Sequence, residues 1–282
     1  MNFFLFKQHL KENYIFKKLK LPELVYYMKN LSIVKNIKNK SDSNKAKQFA
    51  GEDVECAICG SKYKIFETWI LGATVENNTC FNCKSHKRHR LLWKYLYDKT
   101  DIITTKENKT VLHFAPEEYF FKLFTNNKNL NYIPCDLDAN KFNRLYKTSI
   151  VKKIDITQIP LDCNCVDFIL CNHVLEHIPD DKMAMSELCR VLKKGGCAIL
   201  QVPIDYNLEK TYEAPSIVSL EGREKAFGQF DHIRLYGKDY PQKLKNFDWE
   251  VIVDDYVKQF SQEEIFKFGF DKNELIYLCI KN

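Results

Sequence analysis

Two pairs of cysteines stand at metal-ligand spacing. Cys56-Ala-Ile-Cys59 is followed, after twenty intervening residues, by Cys80-Phe-Asn-Cys83. Each pair can present two thiolates from one tight turn, and two such turns complete a tetrahedron around Zn²⁺. Gly60 follows the first pair, where a knuckle of this kind often needs positive φ. Four thiolates leave no open position for a bound water, so the zinc expected here is structural. His86 could substitute as a ligand but lies past a complete set. Of the seven other cysteines, Cys135, Cys171 and Cys197 fall in apolar runs and read as small core residues. No secretory leader is recognisable, which favours thiols and metal over disulfides.

A second cluster is built from His173, Glu176 and His177, at i, i+3 and i+4 on one face of a turn entering a helix. His232 comes 55 residues after His177. Imidazoles titrate near neutrality, so His173 and His232 are the candidate bases for removing a proton from a substrate. Glu176 and His177 are candidate ligands of a second, divalent metal, against the alternative of purely local hydrogen bonding. Arg234 and Lys238 suit a phosphate or carboxylate, or plain solvation. Tyr236 and Tyr240 suit stacking on a sugar, or packing.

These residues must be held by strands and helices. Apolar runs predict strands over 110–115, 131–137, 150–155, 166–172, 196–203, 249–256 and 274–281, with helices near 85–100, 117–126, 180–192 and 238–246. Alternation of apolar strands with helices means a mainly parallel sheet covered on both faces. The last two strands, joined by a short segment, suggest an antiparallel finish. Asp136 ends the second strand, where a carboxylate meets a ribose by geometry. Asp155 ends the third. The expected class is therefore α/β: a Rossmann-like seven-stranded sheet, preceded by a zinc ribbon and a basic helical arm.

The arm covers residues 1–40, with apolar positions such as Phe16, Leu24 and Val34 between lysines. Residues 1–50 carry a net charge of +8, leaving the rest of the +6 chain near −2. That argues against a basic catalytic surface for gripping long nucleic acid. The arm reads as packed on the main domain, or as a peripheral membrane contact. No run approaches the roughly 20 apolar residues of a membrane span, and a cytoplasmic location is expected. Residues 41–52 read as linker.

The run DFILCNHVLEHIPDDKMAMSELCRVLKKGGCAILQVPI (167–204) resembles the core of class I S-adenosylmethionine (SAM) methyltransferases of the type 11 kind. GQFDHIRLYGKDY (228–240) is similar to a subgroup of them that bears an N-terminal four-cysteine ribbon. The resemblance implies a SAM site at the carboxyl ends of the central strands. It would be formed by His113, Phe114, Ala115 and Pro116 after the first strand, Asp136 after the second, Asp155 and Ile156 after the third, and Asn172 after the fourth. One departure is plain: the family's glycine-rich first loop is here LHFAPEEYF, without glycine. Ala115 is small, and Pro116 suits the first turn of a helix whose N-terminus offers donors to an anionic group. The His173, Glu176, His177 and His232 set also resembles the metal site of small-RNA 2′-O-methyltransferases, with His173 replacing a glutamate.

The domain expectation is an arm and linker over 1–52, a zinc ribbon over 53–86 and a SAM-dependent methyltransferase domain over 87–282. The activity expected is O-methylation of a glycan, lipid-linked or small-molecule acceptor. The alternatives are RNA methylation, with basic SHKRHR (85–90) as its support, and a ribbon-bearing scaffold with a degenerate SAM pocket.

Overall fold

The computed structural model describes residues 45–71 and 73–282; the arm expected over 1–40 lies outside the described residues. Residues 45–48 make a helical turn, and strand β1 (Ala50–Glu55) begins inside the segment read as linker. It pairs antiparallel with β2 (Lys62–Tyr63), and β3 (Glu67–Leu71) pairs antiparallel with β4 (Ala73–Thr79). Val54, Tyr63, Phe66 and Phe81 give this ribbon its own small core.

Helix α1 (Lys87–Lys99) leads into the main sheet. The sheet contains β5 (Lys109–Phe114), β6 (Leu130–Asp136), β7 (Lys152–Lys153), β8 (Val166–Asn172), β9 (Leu192–Gln201), β12 (Trp249–Asp254) and β13 (Ile276–Lys281), in the order β12-β13-β9-β8-β5-β6-β7. Pairs from β7 through β9 are parallel, and β13 is antiparallel to both its neighbours. The antiparallel finish is as the short final connection predicts. The third strand is shorter than expected: pairing stops at Lys153, two residues before Asp155.

Strand alternation divides the core in two. Leu112, Ile169, Cys171, Ala198 and Leu200 face one layer, with Met185 and Leu188 of α4 (Asp181–Val191). Val111, Phe168, Leu170 and Ile199 face the other, with α1 and with Phe120 and Phe124 of α2 (Glu118–Asn126). Each such side chain contributes about 1.5–3 kcal/mol by burial, and a sheet wet on either face would forfeit half of that. Smaller helices complete the chain: α3 (Ala139–Tyr146), α5 (Leu220–Phe227), α6 (Tyr240–Leu244) and α7 (Gln262–Phe268). Two short strands, β10 (Tyr212–Glu213) and β11 (Arg234–Leu235), pair outside the sheet. Among the described residues, no helix is long and apolar enough to cross a membrane.

Strand order reverses between β5 and β8, because the chain runs outward through β6 and β7 and returns to the other side of β5. The crevice at the carboxyl ends of those two strands is where this topology seats a ligand.

Candidate active site and cysteine cluster

The two cysteine knuckles share one backbone solution. Cys56 N–H donates to Ser61 O and Gly60 N–H to Cys56 O; Cys80 N–H donates to Ser85 O and Lys84 N–H to Cys80 O. The fifth residue of each turn has positive φ, 68° at Gly60 and 60° at Lys84. Sγ of Cys56 lies 3.6 Å from that of Cys83, and Sγ of Cys59 lies 3.7 Å from that of Cys80. All four sulfurs fall within 4.8 Å of one another. A tetrahedron with metal–sulfur bonds of about 2.3 Å has edges of about 3.8 Å, which the two distances match, so the four thiols are placed to hold Zn²⁺.

Arg90 fastens this ribbon to the rest. It is fully buried. Its guanidinium donates to Asn78 O (2.8 Å) and Ser85 O (2.9 Å) of the ribbon, and to Phe268 O (2.7 Å) and Gly269 O (2.7 Å) after α7. The Phe66 ring lies 3.9 Å beneath it. Gly269 has a φ of 56°, and a Cβ there would sit 2.6 Å from Nη2 of Arg90. A clamp this close admits only glycine.

At the end of β5, Ala115 takes a φ of 47°, the left-handed conformation a glycine would hold cheaply. At the end of β8, His173 does the same, with a φ of 53°. Such strain persists where the surroundings over-determine it, and here it lies on both strands that border the crevice. Glu117 occupies the N-cap of α2, but its carboxylate turns inward to His113 Nε2 (2.9 Å) and accepts from Asn172 Nδ2 (3.1 Å). Burial works to raise its pKa; the hydrogen bonds from His113 and Asn172 outweigh it and hold the carboxyl below its ordinary range. Asn172, 6% exposed, is left with Oδ1 unpartnered.

Beside it, His173 Nδ1 stands 3.4 Å from Glu176 Oε1, while His173 Nε2 and Glu176 Oε2 have no partner. Burial keeps His173 below the usual imidazole pKa, with Arg88 adding to the effect. Glu176 is 1% exposed. Burial alone would raise its pKa; His173 and His177 bring it below the ordinary value. His232 Nε2 lies 4.0 Å from Glu176 Oε1, and His232 Nδ1 faces Phe227 O at 3.2 Å. His177 Nδ1 faces Asp231 O at 3.1 Å. With each Nδ1 turned to a backbone carbonyl, each Nε2 is left as an acceptor. Glu176, His177 and His232 each offer a ligand atom within 4.8 Å of the others.

A cleft of about 660 Å³ opens next to His173. One wall is Val75 and Asn78 of the ribbon with His86, Lys87 and Arg88 at the start of α1; the other is Val202–Ile204, Tyr206 and the segment before β13, including Asp271 and Glu274. Arg88, His89, Asn172, His173, Gln201 and Glu274 surround a narrow neck beneath it.

The other expected residues divide. Asp136 is half-buried at the end of β6, and one carboxylate oxygen accepts from Asp138 N (2.7 Å). Asp155 is exposed and is occupied by Thr157. The Ile156 side chain is packed in the core, so only its backbone can meet a ligand. His113 and Phe114 are buried. Pro116 precedes the cap of α2 instead of opening its first turn, because Glu117 takes the cap. His232 is 4% exposed and stands behind Glu176 rather than on the cleft wall. Arg234 is no substrate ligand: its guanidinium is spent on Leu175 O, Ile178 O, Pro179 O and Glu213. Lys238 pairs with Glu209. Tyr236 and Tyr240 are fully buried, donating to Asp181 and Leu200 O, so they pack and do not stack on a sugar.

Glu117 and Glu274 carry no site signal in the sequence, and Arg88 carries one only as part of the basic run SHKRHR, which points to RNA and not to this cleft. Glu117 follows the loop it completes. Glu274 is roughly 100 residues from His173, and only the antiparallel insertion of β13 beside β9 brings it to the neck.

The Methyltransf_11 family, described as "Methyltransferase domain", matches residues 117–200. No curated protein sequence matches the chain. Among solved structures, a chain of the complex between the Haloferax volcanii Trm112 methyltransferase activator and a methyltransferase is similar over 69% of this chain and 90% of its own, at 16% identity and a TM-score of 0.48. The YcgJ protein from Bacillus subtilis is similar over 69% and 99%, at 13% identity and 0.46. A SAM dependent methyltransferase from Aquifex aeolicus is similar over 66% and 86%, at 16% identity and 0.41.

Proposed function

We propose that the chain is a SAM-dependent methyltransferase, as the methyltransferase-domain match over residues 117–200 supports, and that it methylates a hydroxyl of a small-molecule, glycan or lipid-linked acceptor. The observation that carries the acceptor class is the cleft beside His173. At about 660 Å³ it lies within the range of sites that enclose one small ligand. A nucleic-acid groove would instead be long, open and basic, whereas this cleft sets Asp271 and Glu274 against Lys87 and Arg88.

The residues fit SAM at the strand ends. Asp136 keeps one oxygen for the ribose hydroxyls. The 113–116 loop approaches the methionine end, where Glu117 and the unpartnered Asn172 Oδ1 accept from its ammonium. The adenine lies toward Asp155 and the Ile156 backbone. SAM supplies the electrophilic methyl group; the protein orients the acceptor and removes its proton. His173 is the base, its Nε2 unpartnered and its ring at the cleft. His232 acts behind it, by fixing Glu176.

A second reading has a specific observation in its favour: Glu176 and His177, with His232, hold a divalent cation that acidifies the acceptor hydroxyl. The support is the pair of Nε2 acceptors and the unpartnered Glu176 Oε2. Restoration of activity by Mn²⁺ or Mg²⁺ after EDTA would favour it, and indifference to EDTA would exclude it. Zn²⁺ belongs to the ribbon, on Cys56, Cys59, Cys80 and Cys83, and carries no chemistry of the reaction. Residues 1–40 are proposed to bring a cytoplasmic enzyme to a membrane-borne acceptor.

The test is transfer of labelled methyl from SAM into a host extract divided into RNA, protein, and glycan or lipid pools. Label in the glycan or lipid pool is expected. Label lost on RNase treatment would move the acceptor to RNA. No transfer together with no heat on SAM titration would make the chain a scaffold.

A further inference from the structure

Among the described residues, Lys87 and Arg88 are cations of the cleft whose terminal nitrogens are uncommitted, and Arg88 is the one with a planar fork. Its Nε donates to His89 Nε2 at 3.2 Å. Its two terminal nitrogens make no hydrogen bond or ion pair among the described residues, although the side chain lines both the cleft and the neck. The other arginines whose bonds are described, at 90, 190, 223 and 234, are each bonded to backbone carbonyls. A guanidinium with its fork free, facing a cavity, is built to take a planar anion by two parallel bonds.

The opposite wall narrows the choice. Glu274 lies there with one oxygen accepting from Gln201 Nε2 at 3.1 Å. Asp271 stands on the same segment. Asp271 repels an anion from that side, whereas burial pushes the Glu274 carboxyl up to about 7, so that it can give or take a hydrogen bond at a hydroxyl. Arg88 and Glu274 make no ion pair within 4 Å, although Arg88 acts on the Glu274 carboxyl through space, so the Arg88 fork stays open to a ligand.

We infer that the acceptor carries a carboxylate or phosphate, held by the Arg88 fork, beside the hydroxyl that is methylated, and that the ribbon forms part of this anion-accepting wall. The inference rests on the methyltransferase reading and names the acceptor class within it. The acceptor hydroxyl loses its proton to a base of the site. Its oxygen forms a bond to the methyl carbon of SAM as the carbon–sulfur bond breaks, with the electron pair remaining on sulfur and S-adenosylhomocysteine released. The anion itself takes no part in the bond changes. It fixes which hydroxyl meets the methyl group.

The chain has six arginines, so ¹⁵N-arginine labelling gives few side-chain signals, and Arg88→Gln assigns one of them. The full-length protein is titrated, with and without S-adenosylhomocysteine, with glucuronate, glucose 6-phosphate and glucose. The Arg88 signal should shift saturably with one of the two anionic sugars, at an affinity at least about ten-fold above that for glucose, the scale of one charge-assisted pair. Preference for glucuronate identifies a carboxylate acceptor, and preference for glucose 6-phosphate a phosphorylated one. A signal indifferent to all three sugars, or equally responsive to glucose, overturns the inference. Should Arg88→Gln fail to fold, Arg88→Lys removes the same signal, keeps the charge, and should weaken the anion by losing the fork. Failure of S-adenosylhomocysteine to bind would overturn the methyltransferase reading instead, and is read separately by calorimetry.

Discussion

At the scale of single residues, the site is defined by polar atoms left without partners. Asn172 Oδ1, His173 Nε2 and Glu176 Oε2 are buried and unbonded at one strand end. Each unmet group of this kind costs about 1–3 kcal/mol, a cost that a bound ligand or an ordered water removes. Asp136→Ala should weaken SAM binding by about 1–3 kcal/mol, the worth of charge-assisted hydrogen bonds; calorimetry checks it, and unchanged affinity would remove Asp136 from the ribose site. His173→Gln should leave S-adenosylhomocysteine affinity nearly intact and lower turnover by about 10²–10⁴-fold, the usual contribution of a positioned base. Equal losses in both would mean that His173 shapes the cofactor site. His232→Ala should resemble it more weakly, because His232 reaches the cleft only through Glu176.

At the scale of elements, two devices hold the site's walls. One is the cysteine cluster. Cys80→Ser should release zinc, seen in a colorimetric metal assay, and lower the melting temperature; retained stoichiometric zinc would refute the ligand assignment. The other is Arg90, whose four carbonyl partners lose their only common donor in Arg90→Leu. Breaking so buried an arrangement costs about 3–5 kcal/mol, to be read by denaturant unfolding. A third element is pinned by Glu187 on α4. It accepts from Arg190 at 2.6 and 2.8 Å and from Ile159 N at 2.8 Å, tying the helix to the loop after β7. Arg190 chiefly holds the Glu187 carboxyl below its ordinary pKa. A depressed folded pKa stabilises above the unfolded value near 4.3 and is lost as pH falls through the folded one. Glu187→Gln should therefore be less stable at pH 7 by about 1 kcal/mol, allowing for partial exposure, and the two melting curves should converge below about pH 4.

At the scale of the molecule, the ribbon is a wall of the cleft and not a free appendage. Removal of zinc by a chelator should therefore abolish acceptor-dependent turnover while S-adenosylhomocysteine still binds the strand ends; parallel loss of both would show that the ribbon supports the whole domain. The sequence by itself determined the chemistry that depends on close spacing. Four cysteines in two short turns, the strand–helix alternation and the acid after the second strand are local patterns, dictated by turn geometry and by period-two or period-3.6 burial. The metal-compatible tetrahedron, the sheet and the place of Asp136 follow from them. Tertiary structure alone decided which cations and carboxylates share a cavity. Arg90 belongs to a basic run in the chain and Arg234 suits an anionic ligand or plain solvation there, yet both are buried clamps, whereas Arg88, two residues from Arg90, faces the cleft. Glu274 reaches the neck because β13 inserts between β9 and β12. Such groupings join residues roughly 100–190 positions apart, and no local propensity encodes them. They arise when two-sided burial of the sheet fixes where every strand must end.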